Sequence, residues 1–325
     1  MTTPSFGGQM QTKSMKNLSH IGIGTYGIGG RGHRDMPLTE QQDDQVYIDA
    51  LRYMLTHGIN FMELSMGYGH GHAARIVGQV LRGSEMNRED IFITHSLYPR
   101  DLENLALIDQ DVADFYETLD TDYADSTLVT QSLILKFGRD VVYRKLHELL
   151  DSGKSRYVSL SNASPNWIRD FKETFGDKFI AHEGHLSFEV RSLQDNDVFA
   201  VCDELSVKNI VWRPLGRGGS VQRNWPLLEE LSSRYDKTQS QIILNWIVHC
   251  GYAPMIFSTN KNHIDENIEA LNFEMSAEDY SRMDIFRPEG YALPEIHWET
   301  EQIDDDIVAQ VNGFDGYRAN SKDTK

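Results

Sequence analysis

The feature that most restricts this chain is an alternation repeated eight times: a short strand-like run, then a longer segment with apolar residues at helical spacing. The strand-like runs fall at residues 21–25, 59–64, 90–94, 126–131, 157–161, 179–186, 210–212 and 255–257. Residues 44–57 set Val46, Ile48, Leu51, Met54 and Leu55 at helical spacing and end at Gly58, a natural helix stop. Further helices are expected at 73–81, within 104–119, at 140–150, 197–205, 227–235 and 240–249, and from 265. Ser164-Pro165 reads as an N-cap followed by a first-turn proline, and Ser276-Ala277-Glu278-Asp279 as a capping box before the last helix. Strands alternating with helices favour a parallel sheet. Eight such units predict an α/β fold closed as a (β/α)8 TIM barrel, with a doubly wound open sheet as the alternative. In a barrel, chemistry gathers at the carboxyl ends of the strands. Those ends carry Glu63, His95, Gln131, Ser161, Asn162, Glu183, Trp212 and Phe257, with Tyr68 on the loop after Glu63.

Charge narrows the partners. Against 31 Lys and Arg stand 49 Asp and Glu, a net charge of −18. This sign argues against nucleic acid and anionic membranes, which both need a dense positive field. No apolar run approaches membrane-spanning length, and the N-terminus lacks a signal-peptide core. The expectation is a cytoplasmic protein acting on a small molecule, with Cys202 and Cys250 as reduced thiols and the oligomeric state left open. The expected organisation is an N-terminal extension (1–19), the barrel (20–287) and a tail (288–325). The tail is acidic at Glu299, Glu301, Asp304, Asp305 and Asp306. It reads either as a solvated extension or as a lid over the barrel mouth, with His297 and Trp298 near the pocket.

Several collinear segments carry a resemblance. They are Gly24-Thr25-Tyr26-Gly27-Ile28-Gly29-Gly30, Gly58-Ile59-Asn60-Phe61-Met62-Glu63 with Gly67-Tyr68-Gly69, and Gly153-Lys154-Ser155-Arg156-Tyr157-Val158-Ser159-Leu160-Ser161-Asn162. Trp212-Arg213-Pro214-Leu215-Gly216-Arg217-Gly218, residues 239–246 and Asp265-Glu266-Asn267 follow in order. From about His20 to Asp284 the chain resembles the aldo-keto reductases. The resemblance implies carbonyl reduction with NAD(P)H through a tetrad of Asp, Tyr, Lys and His. Carried over position by position, the tyrosine is Tyr68, the aspartate becomes Glu63, the lysine His95 and the histidine Gln131. A relay Glu63–His95–Tyr68 is the expected catalytic set, with Gln131 able to donate to a carbonyl oxygen.

The same resemblance assigns Ser161 and Asn162 to the nicotinamide carboxamide and Trp212 to the ring. Glu183 replaces the amide-binding glutamine. Arg213, Leu215, Ser258, Glu266 and Asn267 complete the expected cofactor contacts. Where many members carry basic residues for the adenosine 2′-phosphate, this chain has Phe257 and His263, with Lys261 and Arg213 as substitutes off position. NADH, NADPH or no cofactor therefore all stay open.

Three readings follow. One is a divergent oxidoreductase of a carbonyl or alcohol using Tyr68 with His95 and Glu63. The second is a catalytically inactive binding or regulatory protein, and the third a non-redox acid–base enzyme using Glu63, Glu183 and His95. Residues 27–32 lack a P-loop pattern and read as a turn after the first strand. Arg31, His33 and Arg34 read as a solvated loop or a contact for a substrate anion. His70, His72, His95 and His185 with the two glutamates were weighed as zinc ligands, but no tight ligand spacing supports a metal.

Overall fold

The computed structural model describes residues 18–83, 86–223, 225–293, 295–300, 303, 306 and 307. The expected extension up to residue 17 and the tail beyond 307, with Glu301, Asp304 and Asp305, lie outside the described residues. Eight strands follow one another around a closed barrel: β1 (Gly22–Gly24), β2 (Phe61–Leu64), β3 (Phe92–Leu97), β4 (Ala124–Thr130), β5 (Ser155–Ser161), β6 (Phe179–His185), β7 (Lys208–Trp212) and β8 (Ala253–Ile256). The protein is a parallel (β/α)8 barrel. Two compact units are distinguishable within the chain: residues up to Val129 together with Phe137–Ser159, and Thr130–Lys136 together with those from Leu160 on.

In the first unit the pleat decides what each side chain can reach. Parallel register pairs Glu63 with Thr94 and Leu64 with His95, and successive residues of a strand point to opposite faces. His95 stacks on Phe115 at 4.1 Å, and Phe115 belongs to the helix Ala106–Leu119. His95 and Leu64 therefore face the helical layer, whereas Glu63, Thr94 and Ser96 face the interior. The helix Asp44–Thr56 begins at Asp43, whose side chain accepts from Gln45 N.

The second unit obeys the same parity. A Cβ on Gly184 would lie 2.6 Å from Leu193 and 3.0 Å from Phe199, so Gly184 faces the helices and lets them approach closely. Asn209, the register partner of His182, donates to Phe199 O and to Asp203 on that same side. Glu183 and His185 consequently point inward with Ile210 and Trp212, their partners on β7. Ser164 caps the helix Pro165–Phe175, Thr238 closes a capping box with Gln241, and Ser276 caps the helix Ala277–Ile285.

Two features differ from expectation. β3 runs on to Leu97, beyond the predicted 94. Gln131, expected to end a strand, instead starts the helix Gln131–Phe137. In the tail, Ile296, Ile303 and Ile307 are buried, whereas His297, Glu299 and Thr300 are exposed, and Tyr291 donates to Asp195 at 2.6 Å. Cys202 and Cys250 form no disulfide. No described helix is long and apolar enough to cross a membrane.

Candidate active site

The first unit holds Tyr68 and a carboxyl group in contact. Tyr68 follows Gly67 in a one-turn helix, Tyr68–Gly71, just beyond β2. Its phenol donates to Glu63 Oε1 at 3.0 Å, and the Tyr98 hydroxyl lies 3.1 Å from the Tyr68 oxygen and 3.4 Å from Glu63 Oε1. Three oxygens thus form a tight cluster. Ser96 lies beside the carboxyl from β3, but its hydroxyl falls outside good hydrogen-bond geometry. Burial raises the Glu63 pKa to about 7, against the opposing pull of Ser96, Tyr68 and Tyr98. Burial pushes Tyr68 well above the usual phenol range, and the Glu63 charge and Tyr98 add to the rise. Tyr68 is a poor acid by itself, whereas Glu63 holds a proton that is exchangeable near neutrality.

The expected relay through His95 is corrected. His95 Nε2 pairs with Asp111 Oδ1 at 2.9 Å on the helical side of β3, and Nδ1 has no partner among the described residues. Strand parity is the reason: the residue that shares the interior face with Glu63 is the next one, Ser96. Gln131 is also committed elsewhere. Its oxygen accepts from Ser164 N at 2.8 Å, and its amide donates to the Trp298 carbonyl of the tail.

The loop 25–43 carries residues whose role the sequence reading underestimated. His70 Nε2 meets Met36 O at 2.8 Å, His72 Nδ1 meets Gly29 O at 3.1 Å, and Gly69 N donates to Gly32 O at 3.0 Å. His72 Nε2 also reaches Asp44 at 2.9 Å. These histidines fasten the loop to the Tyr68 turn. Gly29 is required there, since φ is +73° and an added Cβ would lie 2.7 Å from His72. Arg34, exposed as a solvated loop residue would be, pairs with Asp111 at 2.9 Å and Arg31 with Glu40 at 2.9 Å. His33 is turned inward, its Nδ1 2.9 Å from Asp101 Oδ2. Asp101 also accepts from Arg34 N at 3.1 Å and lies so close over Gly67 that a Cβ there would sit 1.9 Å from its oxygen.

The second unit gathers the expected nicotinamide contacts. Ser161 and Asn162 end β5, buried to 2% and 6% exposure, and Glu183 is at 3%. Asn162 takes a left-handed φ of 49°, and its N–H donates to Glu183 O at 3.1 Å. Trp212 is half-buried, with His185 stacked on it at 4.3 Å and the Arg213 guanidinium 5.0 Å from the ring centre. Neither nitrogen of the fully buried His185 has a partner among the described residues. Burial, aided by Arg213 and Arg217, holds this imidazole neutral, well below the usual histidine range. A hydroxyl, an amide, a carboxyl, an indole and an unsatisfied imidazole suit a flat ring bearing a carboxamide, so these residues fit a nicotinamide.

The adenosine end is less specialised. Leu215 is half-buried, Ser258 accepts from Asn260 N at 3.1 Å, Glu266 is half-buried and Asn267 is buried. Phe257 is half-buried and His263 exposed.

Barrel and site together define a protein class. The chain belongs to the Aldo/keto reductase family, whose profile matches residues 20–288. An NADH-specific methylglyoxal reductase of Escherichia coli is 25% identical over 314 residues, covering 82% of this chain and 94% of that protein. An uncharacterized oxidoreductase of Bacillus subtilis is 26% identical over 244 residues, covering 73% of this chain and 82% of that protein. A crystal structure of an aldo-keto reductase from Klebsiella pneumoniae in complex with NADPH superposes with a TM-score of 0.68 at 21% identity, covering 82% of this chain and 90% of that chain. At that identity the likeness bears on the fold.

Glu63 has a measurable signature. Its folded pKa of about 7 lies above the ordinary 4.5, so its stabilising effect is present below pH 4.5 and lost as pH rises through 7. The loss amounts to on the order of 3 kcal/mol. Glu63→Gln should therefore melt higher than wild type at pH 8 and close to it at pH 5. Equal melting differences at both pH values would contradict a neutral buried carboxyl. Gly67→Ala should displace Asp101 and lower stability by about 1–3 kcal/mol, read from denaturant midpoints.

Proposed function

We propose that this protein is a nicotinamide-linked oxidoreductase of small carbonyl or alcohol compounds, with Tyr68 as the residue that passes a proton to or from the substrate oxygen. The observation that carries the reading is the Tyr68–Glu63 contact at 3.0 Å, a phenol joined to a carboxyl that titrates at about 7. Family membership over residues 20–288 gives it a reaction class.

When bound, NAD(P)H supplies a hydride to the carbonyl carbon, and the oxidised form takes one from an alcohol. Ser161, Asn162 and Glu183 hold the carboxamide, the first two as donors to its oxygen and Glu183 as acceptor from its NH2. Trp212 lies against the ring. Arg213, Leu215, Ser258, Glu266 and Asn267 serve the rest of the nucleotide. Phe257 and His263 make a poor clamp for a 2′-phosphate, which favours NADH as a competent cofactor. The relative named an NADH-specific methylglyoxal reductase points the same way and makes methylglyoxal a suitable first probe.

Proton delivery follows from the cluster. In its neutral form the Glu63 carboxyl donates to the phenol oxygen, and Tyr68 turns its own proton to the carbonyl oxygen. As Tyr68 gives up that proton it takes the one from Glu63. The charge left behind is a carboxylate rather than a phenolate, so the raised phenol pKa is bypassed. The Trp298 carbonyl of the tail accepts from the Gln131 amide, which supports the reading of the tail as a lid.

The same cluster could serve a non-redox proton transfer, and the titration of Glu63 near neutrality is the observation that favours it. Steady-state reduction of methylglyoxal with NADH and with NADPH separates the two. Tyr68→Phe should lower kcat by at least about 100-fold, and the reduction rate should fall above pH about 7 as Glu63 loses its proton. Unchanged turnover in Tyr68→Phe, or a rate rising steadily to pH 9, would refute the assignment.

A further inference from the structure

Each carbonyl reduced takes a proton from the pair Tyr68–Glu63, and the next turnover needs it back. The pair is poorly placed to fetch it. Glu63 and Tyr68 are only 6% and 5% exposed, the neighbouring Thr94 and Ser96 only 3% and 0%. A bound substrate would cover the phenol as well. One oxygen of the cluster belongs to a residue that reaches further out. Tyr98 follows β3 directly, on the inward side of the strand with Thr94 and Ser96, and it is half-buried. Its hydroxyl lies 3.1 Å from the Tyr68 oxygen and 3.4 Å from Glu63 Oε1, and the two phenol rings are 5.9 Å apart. His33, held by Asp101, stands edge-on to Tyr98 at 5.6 Å.

We propose that Tyr98 is the relay that returns a proton from solvent to Glu63 between turnovers. The proposal rests on the oxidoreductase reading and adds a step that Tyr68 and Glu63 do not perform by themselves. A phenol suits the task because its oxygen accepts one hydrogen bond while its O–H donates another. It passes one proton on as it receives a different one, so no lasting charge settles on the ring. The separations of 3.1 and 3.4 Å are long for O–H···O bonds. Contacts between reacting groups are often long before the substrate arrives and tighten in the complex.

The protons and charges balance. Reduction leaves Tyr68 neutral and Glu63 as a carboxylate. The Tyr98 O–H bond then breaks and a new O–H bond forms on Glu63, while a hydronium ion or a buffer acid gives its own proton to the Tyr98 oxygen. Tyr98 ends as it began, and water or the buffer's conjugate base remains in solution. In alcohol oxidation the same path runs outward from Glu63. The titratable groups facing Tyr98 are Glu63 on β2, Tyr68 on the turn after it and His33 on the loop 25–43, with Asp101 behind His33. Burial raises the Glu63 pKa to about 7 against the pull of Ser96, Tyr68 and Tyr98. Loss of the Tyr98 hydroxyl should therefore push the Glu63 midpoint higher still.

The test uses the full-length protein with methylglyoxal and whichever nucleotide supports turnover. Equilibrated at about pH 6, below the Glu63 midpoint, Tyr98→Phe carries its first proton in advance. Its first turnover, followed by stopped flow, should run close to the wild-type rate, and later turnovers about 100-fold slower. Added imidazole buffer should raise the later rate in proportion to its concentration and leave the first unchanged. Neither a structural nor a substrate-binding tyrosine would give that split. Tyr98→Trp, whose indole donates but does not accept, repeats the comparison if Tyr98→Phe folds poorly. In the nucleotide-free protein, infrared titration of the Glu63 carboxyl should find a higher midpoint in Tyr98→Phe than in wild type. First and later turnovers slowed alike with no response to imidazole, or wild-type steady rates without it, would overturn the relay and leave the oxidoreductase reading standing. A wild type that turns over with neither nucleotide would overturn both.

Discussion

A carboxyl group withdrawn from water, with only hydroxyls beside it, cannot stay ionised cheaply, and this condition at Glu63 organises the rest of the site. Its contacts are Tyr68, Tyr98 and Ser96, all neutral. Desolvation therefore prevails over hydrogen bonding and the acid form persists to about pH 7. A cation on the inner face of β3 would reverse that balance, holding Glu63 ionised and drawing the phenol down. With Ser96 there instead, the proton moves from the phenol to the carboxyl as the titrating group. In the proposed reaction the tyrosine serves as a conduit.

Such a conduit works only if its neighbours are held still, and the loop 25–43 provides this. Its glycines let the backbone run against the Tyr68 turn, where His70, His72 and Gly69 bind its carbonyls at Met36, Gly29 and Gly32. Asp101 then ties the loop to the segment after β3 by holding both His33 and the Arg34 amide. Arg34 continues the chain to Asp111 and so to His95. The histidine on the helical face thus takes part at a distance, as the far anchor of the loop that carries His33. Polar groups this buried lose a great deal when left unpaired, so the arrangement is stiff.

The barrel was legible in the sequence because its signals are local and repeated: eight alternations, a Ser-Pro helix start, a serine cap at 276. The placement of Tyr68 and Glu63 was legible for the same reason, since both lie within one short segment. His95 was misplaced because a strand has period two, and an error of one residue sends a side chain to the opposite face. Nothing in residues 93–97 marks which member faces inward until Phe115 and Asp111 are seen to claim His95. The inward turn of His33 was not legible because its partner Asp101 lies 68 positions away, and the loop read either as solvated or as a contact for a substrate anion. Gln131 was misread through a boundary: β4 ends at Thr130 and the helix starts at the very next residue.

The nucleotide side of the barrel bears on whether this chemistry is redox at all. A pocket kept only for proton transfer would have no need of the inward groups on β5, β6 and β7. Ser161, Asn162 and Glu183 are polar, inward or strand-terminal, and almost fully buried. His185 is the sharper case. A neutral imidazole carries one donor and one acceptor, and this one is fully buried with both unmet among the described residues while stacked on Trp212. Two positive side chains, Arg213 and Arg217, lie near enough to disfavour its charge. An anionic, ring-bearing ligand would answer all three conditions together by satisfying the nitrogens, covering the indole and offsetting the arginines. A neutral substrate undergoing proton exchange would answer only the first. The buried polarity of this half of the chain therefore weighs towards a nucleotide cofactor, in keeping with the proposed redox reading.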